Sequence, residues 1–327
     1  RAMGASASKE LVSVGLFSCY VGVNLSNLLL ASASQRQSKR YINSTAVALS
    51  EVMKSITCLL TIAGTEKSLS AAAGVIANTL FGQPAEMMKV AMPAFLYTVQ
   101  NNVIYAALSH LDAVSFQITY QLKILASLVC TRLLLGTKVS KARWASVALL
   151  TAGVVLVQLS MQQDAAGEAA AEMEGKERKN PLLGLVAVLI ACGCSGLAGA
   201  VMEALLKTKD VPIARRNLQV AAISLVLAVV HMLSKDSAQL RDGGFFQGYS
   251  PVVWSMVTLD SMGGLLVSLL LKHTTSALKN FGAPIGIIVN VLLARYASGA
   301  QKKPPNRQFV LGTLLVLSAL GMYTSSA

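Results

Sequence analysis

Three lysines, Lys54, Lys123 and Lys279, stand inside long apolar stretches of this 327-residue chain. At the centre of a lipid-buried helix a charged side chain costs at least about 2.5 kcal/mol; it persists there by pairing, by snorkelling to an interface or by facing water. Glu51 precedes Lys54 by three residues, which puts both on one helical face. That spacing fits a self-satisfied ion pair holding helices together, and equally a pair lining a cavity against a polar ligand. Lys279, in Leu278-Lys279-Asn280-Phe281-Gly282, is near the start of its stretch and either snorkels or turns inward. Lys123 sits near the middle of 113–135, too deep to snorkel easily, and the nearest acid along the chain, Asp112, lies about three turns back. A buried ammonium without a partner either sheds its proton or waits for an anion. A phosphoryl group would supply the missing charge, and Lys123 with Lys279 facing inward would clamp it from two sides.

Polar and aromatic residues gather around the same lysine. Tyr97, Gln100 and Asn101 follow i, i+3, i+4 spacing; Phe116, Tyr120 and Lys123 follow i, i+4, i+7, with Gln117 and Gln121 alongside. Rings beside amides suit a nucleobase, which offers a stacking face and an edge of donors and acceptors. Ser195 and Asn217 could add hydrogen bonds. Ser195 lies in a run of small residues, Ala191 to Ala200, of the kind that lets membrane helices approach closely.

Other chemistries lack their residues. The five cysteines all fall in apolar runs, and Cys192-Gly193-Cys194 has neither zinc-knuckle nor redox CxxC spacing. His110, His231 and His273 are scattered, so no metal site and no cofactor is expected. A membrane-embedded glycosyl or lipid transferase would need clustered carboxylates, whereas Glu51, Glu203 and Asp260 are far apart in sequence. The chain therefore reads as a non-enzyme. Inward lysines also disfavour efflux of cationic amines; a non-transporting scaffold would tolerate loss of Lys123.

The elements that must position these residues are membrane helices. Charged residues make up 13% of the chain and apolar ones 54%, with mean hydropathy +0.58, against roughly 25% charged in soluble domains. Apolar stretches near the roughly 20 residues a bilayer requires run at about 10–33, 42–63, 87–110, 113–135, 142–161, 181–206, 212–233, 251–271, 274–298 and 308–325. This predicts an all-α, polytopic protein of ten transmembrane helices forming one domain over 1–327. A polar linker, 162–180, divides it into halves 10–161 and 181–325. Five helices in each half predict an inverted repeat, which in transporters places the site near the bilayer midplane. The net charge of +13 sits mostly between the apolar runs, as loops flanking membrane helices require, so a nucleic-acid partner is not expected. Lysines and arginines divide 13 to 12 between alternate loops, which sets no orientation. The oligomeric state is not readable from the sequence.

Several blocks resemble the Golgi nucleotide-sugar transporters, within the drug/metabolite transporter superfamily. They include Gln100-Asn101-Asn102, Gln117-Ile118-Thr119-Tyr120-Gln121-Leu122-Lys123, Arg216-Asn217-Leu218-Gln219, Gly248-Tyr249-Ser250-Pro251, Gly263-Gly264 and Leu278-Lys279-Asn280-Phe281. The match runs in consistent order from about 42 to 325 and is nearest to the CMP-sialic acid, UDP-galactose and UDP-N-acetylglucosamine branch. The resemblance implies ten helices, both termini cytosolic, a Golgi membrane location, and antiport of a cytosolic nucleotide sugar against the luminal nucleoside monophosphate. CMP-sialic acid, exchanged for CMP, is the expected cargo, with UDP-galactose or UDP-N-acetylglucosamine as the alternative. By position, Lys54, Tyr97, Asn101, Lys123, Ser195, Asn217 and Lys279 would line the nucleotide site, the two lysines at 123 and 279 being needed for transport. Gln100, Phe116 and Tyr120 join them on the spacing argument, and Glu51, Gly263 and Gly264 take structural or gating roles. The chain departs from the family pattern at Phe116 and Ala221, where tyrosines are usual, and at Glu203-Ala204, where a Glu-Lys pair is common.

Overall fold

The computed structural model describes residues 2–34, 40–111, 113–165, 180–208, 211–297 and 306–325. Most of the linker expected at 162–180, and Asp112, lie outside the described residues. Within them the regular structure is helical. The helices are α1 (Ala2–Ser34), α2 (Asn43–Thr65), α3 (Leu69–Ala77), α4 (Pro84–His110), α5 (Ala113–Tyr120), α6 (Leu122–Leu135), α7 (Lys141–Ala165), α8 (Pro181–Lys207), α9 (Ile213–Lys235), α10 (Ser237–Gly243), α11 (Pro251–His273), α12 (Ser276–Lys279), α13 (Gly282–Ala297) and α14 (Arg307–Ser325). A single π-helical turn, Asn78–Gly82, follows α3.

Eight described stretches are long and apolar enough to cross a bilayer: Asn43–Thr65, Ile118–Leu135, Lys141–Ser160, Pro181–Lys207, Ile213–Lys235, Pro251–His273, Ser276–Leu293 and Arg307–Ser325. The protein is a polytopic helical membrane protein. The two other stretches expected from sequence, 10–33 and 87–110, fall within α1 and α4 but are not among the eight. In α4 the amides of Gln100, Asn101 and Asn102 dilute the hydropathy. Several hydroxyls inside the spans bond back to their own helix, as Thr57 donates to the Met53 carbonyl (2.9 Å) and Thr151 to that of Val147 (2.9 Å). Lipid offers no other partner.

The chain forms two compact units that interleave the sequence: 1–94 with 202–275, and 95–201 with 276–327. In the first, α2 packs along α9, α1 along α11, and α11 against α2. Cys58, Ile62 and Leu218 are buried there against Leu59, Val75, Leu80 and Leu265. Arg216, only 2% exposed, ties three elements of this unit. Its Nη1 donates to Glu86 Oε2 (3.0 Å) and to Gln219 Oε1 (3.1 Å), while Gln219 donates to the Thr79 carbonyl (3.1 Å) in the π turn. Glu203, fully buried, accepts from Lys207 one turn on (2.6 Å), so the cation absent from position 204 is supplied from 207.

Glu86 lies just ahead of the apolar part of α4. Hydrogen bonds from Lys89 and then Arg216 hold its carboxyl below the ordinary glutamate value. A lowered folded-state value contributes stability above the unfolded value and loses it as pH falls through the folded one. The melting temperature in detergent is therefore expected to be higher for the native protein than for Glu86→Gln at neutral pH. The gap closes below about pH 4; a gap that widens on acidification would contradict this.

In the second unit α7 and α14 make the closest packing, with α5 and α6 against α7, α12 against α6, and α13 against α14. Gly153 and Gly312 face each other: a Cβ on Gly153 would meet the Gly312 carbonyl oxygen at 2.8 Å, and one on Gly312 the Gly153 oxygen at 2.7 Å. Small residues at such a crossing let membrane helices approach backbone to backbone. Leu311, Leu314 and Leu317 of α14 are exposed, as a lipid-facing surface requires.

Candidate functional site

The polar residues of the second unit converge around Tyr120, the last residue of α5. The sequence reads 113–135 as one continuous span, but the helix breaks at Gln121. There the bonds tighten to three-residue spacing, Gln121 N–H to the Ile118 carbonyl (3.2 Å) and Ile124 N–H to that of Gln121 (3.0 Å). Carbonyls released by the tighter turn need other donors, and the Cys192 thiol of α8 points at the Tyr120 carbonyl (3.6 Å). A second break separates α12 from α13 at Asn280–Phe281, again through bonds of three-residue spacing, Asn280 to Ala277 (3.1 Å) and Phe281 to Leu278 (3.0 Å). Lys123 stands just after the first break and Lys279 just before the second. Interrupted helices in membranes recur where a polar ligand is bound.

The phenol of Tyr120 is the hub. Gln100 of α4, 8% exposed, donates its Nε2 to Tyr120 Oη (2.9 Å), and the Ser195 hydroxyl of α8 lies near the same oxygen. Phe116 stacks on the Tyr120 ring with centroids 5.3 Å apart and planes 17° apart. The half-buried Lys123 places its Nζ 4.4 Å from the centre of that ring. Among the described residues no carboxylate reaches this ammonium. Lys279 instead lies close enough for the two positive charges to repel. The Gln100 Oε1 is buried with no hydrogen-bond partner among the described residues. Tyr97 is half-buried within electrostatic range of Tyr120, whereas its neighbour Asn101 is exposed.

The remaining expected residues belong to the first unit. Glu51 and Lys54 form an ion pair, Nζ to Oε1 at 2.5 Å, the contact that both readings of the spacing share. Asp260 of α11 shares the electrostatic neighbourhood of Lys54 and accepts from Asn27 Nδ2 of α1 (2.8 Å). Neither Asn27 nor the approach of Asp260 to Lys54 was visible in the sequence. Gly264 leaves room for that lysine, since a Cβ there would lie 3.0 Å from Lys54 Cδ, and a Cβ at Gly263 would lie 3.2 Å from Val23 of α1. Asn217 is buried on α9 beside Arg216.

Two ammonium groups, a bare amide acceptor and a stacked aromatic pair can hold an anion attached to an aromatic base. The nucleotide-sugar transporter family model matches residues 11–324. The chain belongs to the nucleotide-sugar transporter family. This transporter is 31% identical over 321 residues to the UDP-N-acetylglucosamine transporter of Rattus norvegicus, covering 97% of the present chain and 96% of the relative. It is 36% identical over 293 residues to the UDP-galactose transporter of Schizosaccharomyces pombe, covering 88% and 79%. A solved crystal structure 13% identical to the transporter, covering 96% of each chain, is similar in fold with a TM-score of 0.63.

Proposed function

We propose that this nucleotide-sugar transporter carries a UDP-sugar, UDP-N-acetylglucosamine or UDP-galactose, across the Golgi membrane in exchange for UMP. The observation that carries the binding site is the Lys123 ammonium, held over the Tyr120 ring and repelled by Lys279, with no described carboxylate in reach. A phosphate relieves that repulsion. The stacked Phe116 and Tyr120 offer a platform to the base, and the bare Gln100 Oε1 an acceptor for a base or ribose donor. The choice of uracil rests on the relatives, whose names carry UDP-sugars, and replaces CMP-sialic acid as the leading cargo. Ten spans in two inverted five-helix halves, with both termini cytosolic, complete the proposal; α1 and α4 join the other eight as the first and third spans in chain order.

Strict exchange follows from the same charge. An occupied site is close to neutral and can close, while an empty one must bury two repelling cations in low dielectric. Two measurements test this. UMP is expected to raise the melting temperature of the purified protein more than CMP, GMP or AMP, because a ligand that binds only the native state stabilises it. Uptake of UDP-N-acetylglucosamine or UDP-galactose into liposomes preloaded with UMP should far exceed uptake into empty ones. Stabilisation by CMP in place of UMP would return the cargo to a CMP-sugar, and equal uptake into empty liposomes would end the exchange reading.

A further inference from the structure

The two lysines of the second unit repel, yet the helices that carry them stay together. Three hydroxyls explain how. Ser276 of α12 lies 3.1 Å from Ser127 Oγ and 2.9 Å from Thr131 Oγ1, both on α6. All three side chains are buried, Ser127 at 2%, Thr131 at 4% and Ser276 at 0% exposure. Ser50, Thr57 and Thr151, by contrast, turn their hydroxyls back on their own helix. Ser127 and Thr131 direct theirs across to α12.

Their register is what connects them to the site. Lys123, Ser127 and Thr131 stand at i, i+4 and i+8, along one face of α6. Ser276 and Lys279 stand at i and i+3 on α12. The cross-helix bonds therefore sit about one and two turns from Lys123 and about one turn from Lys279. With only four residues, α12 is too short to hold itself as a helix, so its position depends on what it is attached to. On the third side, Gly199 of α8 makes space for this cluster: a Cβ there would lie 3.4 Å from Ser276 Cβ and 3.9 Å from Ser127 Oγ.

We infer that Ser127, Thr131 and Ser276 form a hydroxyl clasp that fixes the separation of Lys123 and Lys279, so that the phosphate site is assembled before its ligand arrives. The inference rests on the phosphate-binding reading above and adds positioning residues to it. A ligand carrying phosphate uses both lysines and feels their spacing. A nucleoside uses only the rings and amides and does not.

The test compares UMP and uridine as competitors of UDP-N-acetylglucosamine uptake into UMP-loaded proteoliposomes. Thr131→Val removes the hydroxyl at nearly constant shape, Thr131→Ser keeps it, and Ser276→Ala removes the centre of the clasp. Thr131→Val and Ser276→Ala should weaken UMP and raise the KM for the nucleotide sugar about five- to tenfold, with kcat much less affected and inhibition by uridine at its native strength. Thr131→Ser should restore UMP binding relative to Thr131→Val. If uridine weakens by the same factor as UMP, the hydroxyls merely hold the fold and the clasp is refuted. Native UMP affinity in both variants refutes it too. Lys123→Ala, with UMP binding read from the rise in melting temperature because its uptake is expected at background, separates the two levels: loss of UMP binding there with full binding in the clasp variants discards the clasp alone, and retention of UMP there discards the phosphate site itself.

Discussion

Lys123→Ala is expected to reduce UDP-sugar uptake to background while leaving the ligand-free protein at least as stable as the native one. A hydrogen bond to a charged group is worth about 1.5–3 kcal/mol, so the affinity for UMP falls at least about tenfold from the lost contact alone, and transport falls further because the loaded site no longer balances its charge. Stability moves the other way. Removing a charge usually destabilises by stranding its partner, but no described carboxylate depends on Lys123, and its departure relieves repulsion with Lys279. The loss of the ring contact with Tyr120, worth about 0.5–2 kcal/mol, is the opposing term. Melting temperatures with and without UMP check both halves. A variant that melts several degrees lower without ligand, yet still gains stability from UMP, would show Lys123 to be a structural cation.

The same residue marks how far the sequence could be read. A lysine in the middle of 113–135 is visible as a cation out of place, and so are the apolar runs on either side of it. Its surroundings were only half visible. Helical spacing put Phe116, Tyr120 and Lys123 on a common face, and the structure has the two rings stacked with the lysine over that of Tyr120. The break at Gln121 had no signal, because neither glycine nor proline stands there and the tighter hydrogen bonds depend on what packs against the turn. The clasp was equally hidden. Serine and threonine in a span ordinarily bond to their own backbone, and nothing in the letters shows which of them turn outward. Asn27 and Asp260 meet across 233 positions, a separation that periodicity cannot bridge. Glu51 and Lys54 were the opposite case: the three-residue spacing already implied the contact that the structure shows.

The glycines of α8 make the other large prediction, because two of them three residues apart should respond to alanine with opposite sign. Both lie in the run of small residues from Ala191 to Ala200 and look alike in sequence. A Cβ on Gly193 would meet nothing within 4 Å, and the residue is exposed. There alanine removes backbone freedom from the unfolded chain at no steric cost, so stability should rise by about 0.4–1 kcal/mol. A Cβ on Gly196 would lie 2.6 Å from the Ala126 carbonyl carbon and 2.8 Å from the Ser127 nitrogen of α6. Backbone cannot swing aside as a side chain can, so α8 and α6 must part, at a cost of about 1–3 kcal/mol for overpacking. The damage should not stop at stability. Ser195 precedes Gly196, and Ser127, where the clasp begins, is one of the residues pushed. Separation of α8 from α6 takes the Ser195 hydroxyl from Tyr120 Oη and moves the ring on which Lys123 rests. Gly196→Ala should therefore lower the melting temperature and cut UDP-sugar uptake severely, while Gly193→Ala raises the former and spares the latter. Equal responses at the two positions would mean that α8 does not pack on α6 through the face bearing Gly196, and the hub around Tyr120 would lose its eighth-helix wall.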